Sequence, residues 1–284
     1  MSIARVGIVG SGIMGSGIAE TAASSDFEVV LRSRSQKTAD ATVAGMEKSL
    51  NRQVDKGKKT AEERDTILAR VTATSDLGAL EGMDLVIESV IEDLAVKKEL
   101  FNELDRICGE DAILATNTST LPVVELAMET GRPDKVCGVH FFNPAPVMSL
   151  VELVRPLTAS DETIAAVRGF AEACGKSAVE VKDQAGFIVN ALLFPYLNNA
   201  VRLYEQGMAS VADIDTAMKG GCGFPMGPFA LLDLVGLDTS LAILDALYDE
   251  FRDPNYAAVP LLRRMVAAEL LGRKSGQGFH DYRK

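Results

Sequence analysis

A chain of 284 residues with 47% hydrophobic and 24% charged side chains can bury a sizeable core in one large or two ordinary domains, which excludes a disordered chain. Its 29 basic and 40 acidic residues leave a net charge of −11, a balance that repels nucleic acid and anionic membrane where no local basic patch overrides it. No apolar run approaches the roughly 20 residues that span a bilayer, so a membrane protein is not expected.

In chain order, residues 3–9 are a short β-branched run that stops at Gly10 without the long apolar core of a signal peptide. Residues 13–23, small and apolar, follow as a predicted helix, and Glu28-Val29-Val30-Leu31 as a second strand. Strand, glycine turn, helix and strand within about 30 residues make a βαβ unit. Residues 35–70, rich in Lys and Glu, are predicted as a long helical excursion. The apolar runs 85–87, 112–115 and 136–139 each adjoin a helical pattern, so an open, mainly parallel sheet is expected. Near Lys182-Asp183-Gln184-Ala185-Gly186 a strand-like run, 178–181, gives way to helical patterns reaching residue 271, the first of them expected to kink at Pro195. The fold class is therefore α/β: a Rossmann-type domain over residues 1–184 followed by an all-helical domain over 185–284. The cysteines, Cys108, Cys137, Cys174 and Cys222, form no C-x-x-C pair. Neither a metal site nor a disulfide framework is predicted, and a reducing cytoplasm is the expected compartment.

Gly10-Ser11-Gly12-Ile13-Met14-Gly15 matches G-x-G-x-x-G, and it follows a predicted strand and opens a predicted helix, the context that makes it a dinucleotide fingerprint. Gly10 allows the tight turn, Gly12 the approach of a pyrophosphate, and Gly15 close packing of helix on strand. An acid is expected about 20 residues on, where it would hold the adenosine ribose hydroxyls. Instead the chain has Arg32-Ser33-Arg34, with no carboxylate after it until Asp40. Arginine binds a ribose 2′-phosphate that an acid would repel, so NADP is the expected cofactor, with NAD as the alternative.

Only two histidines occur, His140 and His280. His140 follows the predicted strand 136–139, at the C-terminal edge where open α/β sheets keep their ligands. Twelve residues later Glu152 sits inside the apolar stretch Leu150-Val151-Glu152-Leu153-Val154. A carboxylate in such surroundings wants a partner, and an imidazole oriented by a buried carboxylate makes a general base. By residue type alone, a structural role for both remains open.

These residues, together with Ile87-Glu88-Ser89, Ala115-Thr116-Asn117-Thr118-Ser119, the run from His140 to Pro146, Gly186-Phe187-Ile188-Val189-Asn190, Pro225-Met226-Gly227-Pro228 and Gly272-Arg273-Lys274-Ser275-Gly276, resemble the short-chain 3-hydroxyacyl-CoA dehydrogenases over nearly the whole chain. The resemblance implies His140 as catalytic acid/base, Glu152 as its orienting acid, Ser119 on the substrate oxygen and Asn190 on the acyl group. It implies Glu92, Lys97, Asn117, Asn143 and Lys274 along the dinucleotide, and places coenzyme A contacts on the segment of Lys56-Gly57-Lys58-Lys59. It also implies an acyl-CoA substrate, interconversion of (S)-3-hydroxyacyl-CoA and 3-ketoacyl-CoA, and a homodimer formed through the helical half. The chain departs from the pattern at Ser33, where the family usually has an acid, and at Ser149, Ala185 and Ala191, where Lys, Pro and Arg are frequent; none of these removes a catalytic group. A free hydroxy-acid dehydrogenase, or a non-catalytic protein like lambda-crystallin, are the alternatives on the same scaffold.

Overall fold

A computed structural model describes residues 3–283, and the chain divides into two compact units between Asp183 and Gln184. The first unit is built on an eight-stranded sheet, β1 (Arg5–Val9), β2 (Glu28–Arg32), β3 (Val71–Thr74), β4 (Leu85–Glu88), β5 (Ile113–Thr116), β6 (Val136–Phe141), β7 (Leu150–Arg155) and β8 (Ser177–Lys182). The spatial order is β3-β2-β1-β4-β5-β6-β7-β8, and the pairing is parallel throughout except between β6 and β7. Strands β4, β5 and β6 are buried at every position, which explains why they read as unbroken apolar runs: a parallel sheet covered on both faces has no solvated side to alternate with.

Helices α1 (Ile13–Ala23), α2 (Gln36–Asp55), α3 (Ala61–Ala69), α4 (Leu94–Ile107), α5 (Val123–Ala127) and α6 (Asp161–Ala173) complete the unit. Ile8, Ile18, Leu31, Ile87, Val139, Val151 and Phe170 belong to one continuous core. The order reverses at β1 and β4, and ligands bind such sheets in the crevice beyond the strand ends at this switch point.

Two local expectations change. The helical excursion is two helices, because Gly57 takes a left-handed φ of +66° and Thr60 with Glu63 forms a capping box that starts α3 afresh. Lys56 accordingly lies at the end of α2, exposed, with Lys58 and Lys59 in the connection. Strand β6 also continues past residue 139 to Phe141, because antiparallel pairing with β7 carries the ladder on and sets His140 directly opposite Glu152. His140 is thus inside the strand rather than after it.

The second unit consists of α7 (Val189–Glu205), α8 (Val211–Cys222), α9 (Pro228–Val235), α10 (Leu237–Phe251) and α11 (Pro260–Ala267), with no strand among its described residues. Phe194, Leu197, Phe229, Leu232, Leu244 and Leu262 form its core. Helix α7 runs on through Pro195. Two buried acids fix the C-terminal segment. Asp233 accepts the Phe279 and His280 amides, and Asp215 accepts the first amides of α9 and pairs with His280 Nε2 at 2.9 Å. The second histidine therefore has a structural partner. Among the described residues no helix is long and apolar enough to cross a membrane, and no cluster of side chains could hold a metal ion.

Candidate active site

The fingerprint turn is shaped as its glycines demand. Gly10 has φ +123° and a Cβ there would strike the Ser89 carbonyl, while a Cβ on Gly15 would strike the Gly10 carbonyl. Both positions are closed to any other residue. Gly12 caps the N-terminus of α1 with nothing within 4 Å of where its Cβ would stand, the opening through which a pyrophosphate reaches the helix amides. Ile13 is 78% exposed on this first turn, and Met14 packs partly into the core.

Gly10, Ser11 and Gly12 open into a cleft of about 660 Å³, lined also by Arg32, Ser33, Arg34 and Ser35 from the end of β2 and by Ile91, Val96, Glu99, Leu100 and Glu103. Ser33 is buried, its hydroxyl bonded to Ser11 Oγ at 2.7 Å and to Thr38 Oγ1 at 2.5 Å. A chain of hydroxyls thus stands where a ribose-binding acid would be. Arg34 is exposed, and the buried Nε of Arg32 has no hydrogen-bond partner among the described residues. Such an orphaned donor costs free energy until an acceptor arrives. A helix-end phosphate cradle, the apolar side chains of Ile91, Val96 and Leu100 and an unpaired Arg32 Nε together fit a dinucleotide.

The reacting groups lie along the same strand ends. His140 and Glu152 are 4% and 1% exposed, and His140 Nδ1 lies 2.8 Å from Glu152 Oε2. An ionised carboxylate only accepts, so Nδ1 carries the hydrogen and Nε2 is left as the lone-pair nitrogen. Ser119 Oγ is 3.0 Å from Nε2, and the Phe142 ring packs on the imidazole with centroids 4.6 Å apart. Asn117 Oδ1 accepts the Phe141 amide at 2.8 Å, tying the loop after β5 to the end of β6. Asn143 is exposed just beyond. The loop it begins is held by Lys176 Nζ, which donates to the Ala145 and Met148 carbonyls at 2.6 and 2.9 Å and whose pKa burial pushes down.

Lys97 is held inside a buried ion network, and Glu92, 40% exposed, lies at its rim. Lys97 is 1% exposed, its ammonium 2.7 and 2.8 Å from the two Glu88 oxygens and 3.2 Å from Glu92 Oε2. Glu92 Oε1 in turn accepts the Ser119 amide at 2.9 Å. Asn190, 8% exposed, lies in the first turn of α7, and Lys274 pairs with Asp238 at 2.5 Å; both belong to the second unit. Residue-by-residue reading of the sequence passed over Phe142, Thr38 and Lys176. Glu88 carried a signal as the single charge at the end of an apolar strand.

A fingerprint cradle at the switch point of a parallel sheet, with an acid-oriented imidazole at a neighbouring strand end, defines a dinucleotide-dependent oxidoreductase of the Rossmann class. Residues 5–184 match the family described as "3-hydroxyacyl-CoA dehydrogenase, NAD binding domain", and residues 186–282 match "3-hydroxyacyl-CoA dehydrogenase, C-terminal domain". The chain belongs to the 3-hydroxyacyl-CoA dehydrogenase family, and its cofactor is a nicotinamide dinucleotide. It is 49% identical over 283 residues to a 3-hydroxybutyryl-CoA dehydrogenase of Mycobacterium tuberculosis, covering 99% of each chain. It is 47% identical over 280 residues to one from Clostridioides difficile, covering 99% of this chain and 100% of the relative. A crystal structure of (S)-3-hydroxybutyryl-CoA dehydrogenase PaaH1 from Ralstonia eutropha superposes with a TM-score of 0.97 at 44% identity over the full length of both chains.

Proposed function

We propose that this protein interconverts (S)-3-hydroxybutyryl-CoA and acetoacetyl-CoA, with His140 as acid/base and with NADP(H) preferred to NAD(H). The observation that carries the catalytic assignment is the line Glu152–His140–Ser119, buried at its first two members, with its 2.8 and 3.0 Å spacings, at the dinucleotide edge of the sheet. The relatives named 3-hydroxybutyryl-CoA dehydrogenase support the substrate. When bound, the nicotinamide supplies or accepts the hydride.

The protein's own groups manage the proton. In oxidation His140 Nε2 takes the proton of the 3-hydroxyl, and Glu152, fixed on Nδ1, offsets the charge of the imidazolium. In reduction the imidazolium returns that proton to the 3-oxygen. Ser119 Oγ, within 3.0 Å of Nε2, donates a hydrogen bond to the negative charge that develops on the oxygen. Because His140 and Glu152 are almost wholly buried, their charges act where water screens little.

The cradle of Gly10, Ser11, Gly12, Ile13, Met14 and Gly15 would hold the pyrophosphate, and Arg32, Ser33 and Arg34 the adenosine end. The cofactor preference rests on Arg32 and Arg34 lining the cleft with no carboxylate at the end of β2 and with the Arg32 Nε unsatisfied. Asn190 on the acyl group, Lys56 on coenzyme A, and Glu92, Lys97, Asn117, Asn143 and Lys274 along the cofactor enter on the family resemblance. So does a homodimer through the helical unit. A cytoplasmic location belongs to the same reading.

Two measurements test it. Steady-state reduction of acetoacetyl-CoA should give a higher kcat/KM with NADPH than with NADH, and the reverse order ends the NADP assignment. His140→Gln should lower kcat by about 10²- to 10⁴-fold, whereas unchanged turnover removes His140 from the mechanism.

A further inference from the structure

We propose that Glu88 is a positioning residue for catalysis, the anchor of a closed ring of side chains that sets Ser119 against His140. The inference rests on the catalytic reading of Ser119 given above. Glu88 ends β4, is 0% exposed and carries a charge inside an otherwise apolar strand. Its Oε1 accepts the Val90 amide at 2.6 Å, its Oε2 accepts the Thr116 hydroxyl at 2.8 Å, and both oxygens bind the Lys97 ammonium. Lys97 passes the connection to Glu92, and Glu92 Oε1 accepts the Thr118 hydroxyl at 2.5 Å and the Ser119 amide at 2.9 Å. Thr116 Oγ1 accepts the Thr118 amide at 3.2 Å. The circuit Glu88, Lys97, Glu92, Thr118, Thr116 returns to Glu88.

Sheet formation does not account for this ring. Glu88 and Thr116 are already partners at the last paired register of β4 and β5, and everything the ring adds lies beyond that point, in the loops after the two strands and in the first turn of α4. Nor does stability account for its charges. A buried ion pair is often no better than apolar groups of similar volume, because desolvating the charges offsets their attraction. What the ring does supply is acceptors for the backbone and hydroxyl of a loop that has no ladder to join. It grips the Ser119 main chain and leaves the hydroxyl to His140. Asn117, bonded to the Phe141 amide, registers the other side of that loop on the strand of His140. The 3.0 Å between Ser119 Oγ and His140 Nε2 is the result.

The test is a double-mutant cycle between Glu88→Gln and Ser119→Ala, with kcat and KM measured for the acyl-CoA substrate and folding followed by circular dichroism. Glu88→Gln keeps the shape but removes the charge that Lys97 needs, and a displacement near 1 Å at a reacting group is expected to cost on the order of 10²-fold in kcat, with KM changed by less than about threefold. In the Ser119→Ala background the same substitution should cost nothing further, since interacting positions are non-additive. Thr116→Val, which cuts the ring at another point, should follow the same pattern, and Thr116→Ser should restore kcat; this pair decides the matter if Glu88→Gln does not fold. An equal loss in both backgrounds, or a Glu88→Gln kcat within about threefold of wild type, overturns the positioning role while leaving Ser119 catalytic. A Ser119→Ala enzyme with full activity instead refutes the catalytic reading on which the role depends.

Discussion

Replacing Glu152 by Gln isolates the contribution of one charge. The carboxylate oxygen stands 2.8 Å from Nδ1 in a site 1% exposed at Glu152 and 4% at His140. With charge centres roughly 4 Å apart, an imidazolium–carboxylate pair interacts by about 4 kcal/mol at an effective dielectric of 20. A glutamine oxygen can still accept the Nδ1 hydrogen, which retains about 1 kcal/mol of neutral hydrogen bond. The remaining deficit of about 3 kcal/mol corresponds to a loss on the order of 10²-fold in kcat. If the amide nitrogen turns towards Nδ1 instead, the hydrogen moves to Nε2, which can then accept no proton, and the loss is larger. The assay is oxidation of (S)-3-hydroxybutyryl-CoA at saturating cofactor, followed by nicotinamide absorbance, with a thermal melt to establish that the variant folds. KM should stay within about threefold, because the lost interaction is specific to the charged transition state. A folded Glu152→Gln enzyme with wild-type kcat would refute the reasoning.

The adenosine end makes a separate prediction: Arg32→Ala and Arg34→Ala each lower kcat/KM for NADPH by about 10- to 100-fold, the worth of one charge-assisted hydrogen bond at about 1.5–3 kcal/mol, and leave NADH little changed; equal effects on both cofactors would refute it. Burial pushes the Cys108 and Cys174 thiols up to about 11 and Cys137 up to about 12, while Cys222 is exposed. A charged alkylating reagent at mildly alkaline pH should therefore modify Cys222 alone in the native protein, read by peptide mass mapping, and rapid loss of a second thiol would contradict the packing. Glu20 is buried beneath Gln53 and Ser49, and desolvation raises its pKa above its ordinary value of 4.5. The folded state therefore binds this proton more tightly than the unfolded chain does, so the stabilisation is present below pH 4.5 and is lost as pH rises through the folded value. Glu20→Gln keeps the acceptor for Gln53 and should melt above wild type at neutral pH but not below pH 4.5, a difference that scanning calorimetry across that range would detect or exclude.

Much of the first unit could be read from its residues because burial on both faces writes a parallel strand as an apolar run between turn signals. The fingerprint was equally open to reading, since each glycine answers a steric demand visible in the motif itself. Strand β3 was not, because Val71-Thr72-Ala73-Thr74 lies at the sheet's edge, partly exposed, and lacks an apolar run. The break at Gly57 was hidden by the helix-forming lysines around it, which mask a single left-handed glycine.

The site divides along the same line. His140 and Glu152 could be paired from sequence because each is the one strongly polar side chain in an apolar stretch, and a short connection between two strands favours antiparallel neighbours. The ring of Glu88, Lys97, Glu92, Thr116 and Thr118 gives such a signal only at Glu88, the single charge of an apolar strand. Its members come from two strand ends, a helix and two loops, and each of the others alone reads as a cap, a surface charge or an ordinary hydroxyl. Only when β4 and β5 lie side by side does Glu88 face Thr116, and only when α4 folds back does the Lys97 ammonium fall between two carboxylates. Two of the residues that the family resemblance places along the cofactor, Glu92 and Lys97, are thus held by groups whose motifs show no sign of the contact. A buried polar network is set by tertiary contact, and its unsatisfied alternatives are costly enough to fix one loop geometry. On that basis Ser119 depends on its neighbours' carboxylates as much as His140 depends on Glu152.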